Sequence, residues 1–161
     1  MLNEFWLSLE YLPLAGEIGA TAWFPAMESL HVLSITFLLG AILMVDLRVL
    51  GLAGGAYSAS SMVSQLVPWA AGAFVVANIT GLAMFITRAS AHAANPAFQI
   101  KMGLLLLAGL NIAYFHFRAM PAILRAHDAT VLPVKARTAA GVSLFLWCAI
   151  MLAGRWVGHV I

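Results

Sequence analysis

Four long apolar stretches separated by short polar connections make up most of this chain, at about 23–45, 66–87, 102–124 and 138–160. A hydrocarbon core about 30 Å thick takes roughly 20 helical residues, so each stretch is long enough to cross one. Unbroken apolarity over that length predicts helices rather than strands, because backbone in lipid must satisfy its own hydrogen bonds. The third stretch carries a kink signal at 118–121, where Pro121 can end it early. "GLAGGAYSASS" (51–61) reads as a Gly/Ser turn, and "SAHAANPAF" (90–98) ends in an Asn-Pro suited to start a helix. "RAHDATVLPVKAR" (125–137) is the longest and most basic connection, with His127 expected in water. Ahead of the first span, "NEFWLSLEYLP" places Phe5, Trp6, Leu9 and Leu12 on one side. It predicts a short interfacial helix over about 3–12, stopped by Pro13.

Composition agrees with the pattern. The 161 residues are 63% hydrophobic and 9% charged, against roughly 25% charged in a soluble domain. The expected fold is all-α: an integral membrane four-helix up-and-down bundle with a short N-terminal interfacial helix, one domain spanning 1–161. The lipid bilayer is the first partner. A net charge of +2 gives no reason to expect nucleic acid. The lone Cys148 has no intrachain disulfide partner. Residues 1–29 hold no Lys or Arg and no clean apolar core before a cleavage site, so no removable signal peptide is expected. Arg48, Arg118, Arg125, Lys135 and Arg137 lie at one end of the spans, and Arg88, Lys101 and Arg155 at the other. The positive-inside rule then places both termini outside, in the periplasm if the membrane is a bacterial inner membrane.

Ionisable groups inside spans are costly and are functional candidates by default. Here they form two layers. Glu28, His31, Lys101, Arg155 and His159, with Arg88 and His92 nearby, lie at the terminal end; Asp46, Arg48, His116 and Arg118 lie at the other. At 100° per residue Glu28, His31 and Asp46 fall within about 120°, Lys101 and His116 about 60° apart, and Cys148, Arg155 and His159 within about 40°. Each span therefore has one polar stripe able to face inward. His31 and His116 differ in depth by roughly 10 Å, too much to clamp one haem. His159 and His92 are the better partners for His31. Glu28, one turn from His31, is placed to orient its ring, as carboxylates do for metal-bound imidazoles. Arg155 suits an ion pair with Glu28 or, beside Lys101, an anion such as a haem propionate. "VDLR" (45–48) suggests a helix end closed by an Asp46–Arg48 pair. Phosphate loops, metalloprotease motifs and serine triads are missing, so whether the chain is an enzyme stays open.

"ESLHVLSITFLLGAILMVDLRVLGL", "LVPWAAGAF", "NPAFQIKMGLLLLAGLNIAYFH" and "LFLWCAIMLAGR", covering about 28–155, resemble an uncharacterised family of small four-helix bacterial inner-membrane proteins. That resemblance implies fold and location, not activity. A helix opening in Leu-His and ending in a basic turn, followed by a Lys that opens an apolar helix, is similar to two further families. These are the haem-binding membrane protoporphyrinogen oxidase and the membrane domain of copper resistance protein D. The likeness implies His31 as a first-helix ligand, with Lys101 as a second carried-over position. The chain departs from a bis-histidine cytochrome, because no second intramembrane His accompanies His116.

Three functions remain open. In the first, b-type haem sits on His31 with His159 or His92 opposite, Lys101 and Arg155 hold its propionates, and electrons pass between a quinone and a periplasmic redox partner. In the second, Met27, His31 and Glu28 line an entrance for copper or another small solute delivered by a metal-carrying protein. In the third, the chain is a non-catalytic anchor in a homo-oligomer or larger membrane complex, with Gly72, Gly81, Gly109 and Gly154 allowing close helix contacts. The candidate metal ligands across these readings are His31, His159, His92 and His116.

Overall fold

The computed structural model describes residues 2–126 and 132–159, so the loop expectation for His127 lies outside the described residues. Four helices cross-membrane in length form the body: α3 (Trp23–Leu50), α4 (Ala59–Ile86), α6 (Pro96–Tyr114) with its continuation, and α8 (Val134–Val157). Short helices α1 (Leu2–Glu10), α2 (Pro13–Ala20) and α5 (Ala89–Ala94) gather at the terminal end, and α7 (Met120–Ala126) extends α6 at the far end. The protein is an all-helical integral membrane bundle.

Every span begins or ends beyond its apolar stretch, because helical hydrogen bonding does not stop where hydrocarbon does. α3 continues past Val45 to Leu50 and closes at Gly51, whose φ of 78° is left-handed. Its N–H donates to the Arg48 carbonyl and that of Leu52 to the Leu47 carbonyl, a Schellman termination. α4 starts seven residues ahead of the apolar stretch, at a Ser58 cap whose hydroxyl accepts from Ser61 N–H at 3.1 Å. Asn95 caps α6 by accepting from Ala97 and Phe98 N–H, and its amide donates to the Val157 carbonyl of α8.

α1 ends at Glu10, ahead of Pro13 as expected, but Pro13 also opens a further helix, α2, where a missing N–H and fixed φ suit the first helical position. The kink near Pro121 is a π-helical turn over Phe115–Ala119, in which Met120 N–H donates to the Phe115 carbonyl. Pro121 has no N–H to give to residue 117, and widening the preceding turn absorbs the misfit without ending the helix.

α3 packs along α4, α6 along α8, and α8 also against α3. α4 meets α6 chiefly through the Phe85–Phe98 stack, with ring centres 5.3 Å apart. One apolar cluster fills the middle around Leu38, Ala70, Ala108, Leu146 and Trp147. Another closes the far end around Val49, Val63, Ile123 and Ala136. Elsewhere large apolar side chains such as Leu33, Phe37, Ile79, Leu106, Phe145 and Leu152 are exposed, as a lipid-facing surface requires.

Candidate functional site

The terminal half of the bundle is polar inside. His31 lies eight residues into α3, about 12 Å along its axis, and its half-buried ring faces α4. Nδ1 is 3.0 Å from Thr80 Oγ1. Thr80 is buried and has a single hydroxyl proton, which goes to its own helix at the Val76 carbonyl, 2.8 Å away. The tautomer with its proton on Nδ1 satisfies this contact and leaves Nε2 its lone pair. Such an arrangement is typical of a metal-bound imidazole, whose second nitrogen donates to a fixed acceptor. The orienting group is thus Thr80 on the next helix, rather than Glu28, which is exposed on α3.

Gly81 makes the approach of α3 and α4 feasible. A Cβ there would sit 3.0 Å from His31 Cε1, a tight contact that the ring could accept only by shifting a few tenths of an ångström. Lys101 enters from α6 and lays its stem against α8 at Gly154, where a Cβ would be 3.8 Å away. Its charge acts on both His31 and His92. Its ammonium makes no hydrogen bond or ion pair with any described residue.

His92, on α5, belongs to an aromatic stack, with ring centres 6.1 Å from Phe85 and 5.7 Å from Phe98. Burial pushes its imidazole below the ordinary range; Arg88 and Lys101 add to this and Glu10 opposes it. Glu10 reaches from α1 to the start of α5, where Oε1 accepts from the Ser90 hydroxyl at 2.6 Å and its N–H at 2.7 Å. Those bonds hold the carboxyl below its usual range. Two separate hydrogen-bonded pairs, Glu10–Ser90 and His31–Thr80, therefore stand at this end, with the Lys101 charge acting on both His92 and His31.

The other candidates lie elsewhere. His116 is exposed in the π turn at the far end, edge-on to Phe117. Cys148, Arg155 and His159 share one side of α8 as expected, but that side is exposed, so the stripe faces outward. Helical periodicity defines a stripe, and only the neighbouring helices decide whether it points inward. His159 Nδ1 lies 3.2 Å from the Arg155 carbonyl of its own helix. The four histidines proposed as ligands therefore do not form one centre, and no group of three His, Cys, Asp or Glu positioned for a metal occurs among the described residues. Asp46 and Arg48 do not pair: Arg48 Nε donates to the Tyr57 carbonyl at 2.6 Å, and Asp46 turns into the bundle.

Sequence reasoning missed the contributions of Ser90, Phe85 and Phe98. It singled out Gly81 without joining it to His31. A small hydroxyl followed by glycine within an apolar run was the available signal.

No curated protein and no solved structure matches the chain. Nothing among the comparisons supports the likeness to membrane protoporphyrinogen oxidase or to copper resistance protein D. A family model does match residues 5–160, nearly the whole length, and the chain belongs to that family, the family of unknown function DUF6644.

Proposed function

We propose that this is a small b-type-haem-binding membrane protein that passes electrons between a quinone and a partner outside the membrane. The observation behind the reading is the His31–Thr80 pair, an imidazole held by a neighbouring helix within a membrane span, whose Nδ1-protonated form offers Nε2 as a lone-pair donor. One further residue fits haem: among the described residues no anion pairs with the Lys101 ammonium, which suits a propionate. In this reading His31 would hold the haem iron, Thr80 would fix the orientation of the imidazole and Lys101 would take a propionate. The aromatic stack of Phe85, His92 and Phe98 shields that region from water. Haem would supply one-electron transfer. Arg155, Glu28 and His159 are left in outer-surface roles, with both termini in the bacterial periplasm and the far-end loops in the cytoplasm.

Purified from haem-replete cells, the protein should show reduced-minus-oxidised Soret and α bands. His31→Ala should lose them while remaining folded, and Lys101→Met should weaken haem retention. Absence of haem bands from the wild type, or unchanged bands in His31→Ala, would overturn the proposal. The copper reading has less support, because Glu28 is exposed rather than gathered beside His31.

A further inference from the structure

We infer that Asp46 is a proton-binding site inside the bundle, carrying an exchangeable proton on Oδ2 near the far face of the membrane. No residue of this site belongs to the proposed haem site, so the two readings can fail separately.

Asp46 is 4% exposed, and Oδ2 is buried with no hydrogen-bond partner. The Ser143 hydroxyl of α8 lies beside the carboxyl group. Val45 and Val49 flank Asp46 on α3 and belong to the apolar cluster that closes the far end. No cation faces it. α4 contains no ionisable side chain over its whole length. On α3, Arg48 is turned to the Tyr57 carbonyl. On α8, Lys135 and Arg137 are exposed, as are His116 and Arg118 in the π turn.

A bare carboxylate here would be a buried charge with neither counter-ion nor full hydrogen bonding, the most costly state a side chain can occupy in this setting. A metal ion would need several oxygen or nitrogen donors, and Asp46 with Ser143 supplies too few. A proton removes the charge and leaves only one unbonded O–H, a smaller cost than a bare carboxylate. It comes from water as H⁺, forms the Oδ2–H bond, neutralises the carboxylate and leaves the second oxygen available to the Ser143 hydroxyl. No electron moves. Asp46 is four residues from the end of α3, about 6 Å along the axis, so the exchange route to the far face is short. Uptake removes the interior charge that release would leave, so the burial of Asp46 favours the protonated form.

Infrared spectra of the full chain in lipid test this directly. Expected is a protonated-carboxyl C=O band at neutral pH that shifts in D₂O, disappears in Asp46→Asn and ignores added sodium or potassium. Ser143→Ala, in which Asp46 itself is untouched, should move the band to higher frequency. The inference is overturned if no such band exists, if it survives Asp46→Asn, if it fails to shift in D₂O, or if a monovalent cation removes it. Should Asp46→Asn not fold, an unmoved band in Ser143→Ala overturns it equally.

Discussion

Thr80 gives its one proton to the α4 backbone, and that local bond controls a histidine on another helix. An interhelical hydrogen bond in a membrane contributes about 0.6 kcal/mol on average and up to about 1.7 kcal/mol. Losing this one will not unfold the bundle. Thr80→Val should therefore keep the helical spectrum and thermal transition close to wild type while mixing the two His31 tautomers. Nitrogen-15 NMR of the imidazole reads that mixture, and Thr80→Ser should restore the single form. An unaltered tautomer in Thr80→Val would refute the assigned role. Gly81→Ala tests the same ring by sterics: a carbon 3.0 Å from Cε1 must displace it. The His31 candidate was visible in the sequence because imidazole is rare in an apolar span. Its partner was not, since threonine hydroxyls in membrane helices usually bond their own backbone, as Thr80 also does.

Among the elements, the α1–α5 clasp is the most exposed to solution conditions. Glu10 has a lowered pKa in the folded chain, so the ionised form favours the clasp. The contribution is present above the ordinary carboxylate range and is lost as pH falls through the lowered value. His92 works in the same direction. Its folded pKa is also lowered, so acidification through the imidazole range favours the unclasped state, in which it protonates more readily. Hydrogen exchange at the Ser90 amide, which donates to Glu10, should be slow at neutral pH and accelerate on acidification. Glu10→Gln should exchange faster at neutral pH and lose the carboxylate-range part of the response. Equal protection in variant and wild type would show that the carboxylate does not hold α1. α2 and α5 were not foreseen because each is too short to display a hydrophobic period. They are helical because they pack: Ala15, Ile18 and Ala89 are buried against the bundle.

At the scale of the whole molecule, the proposed orientation is open to direct measurement. In a Cys148→Ser background, Ala91→Cys should react with a membrane-impermeant thiol reagent applied outside intact cells. Tyr57→Cys should react only after permeabilisation; the reverse pattern would invert the topology. What the chain alone determined was the number of spans, their helical nature and their alternation, because hydrocarbon forbids unsatisfied backbone and apolar length is read directly from residue order. The Asn95–Pro96 start of α6 was equally legible, since its capping is local. The inward or outward sense of each polar stripe belonged to tertiary structure. Lipid and protein interior are both apolar, so a helix between them has no hydrophobic face to announce its neighbour. Packing alone turned Arg155 and His159 outward, joined His31 to Thr80, and set Asp46 against Ser143 with one oxygen unpartnered.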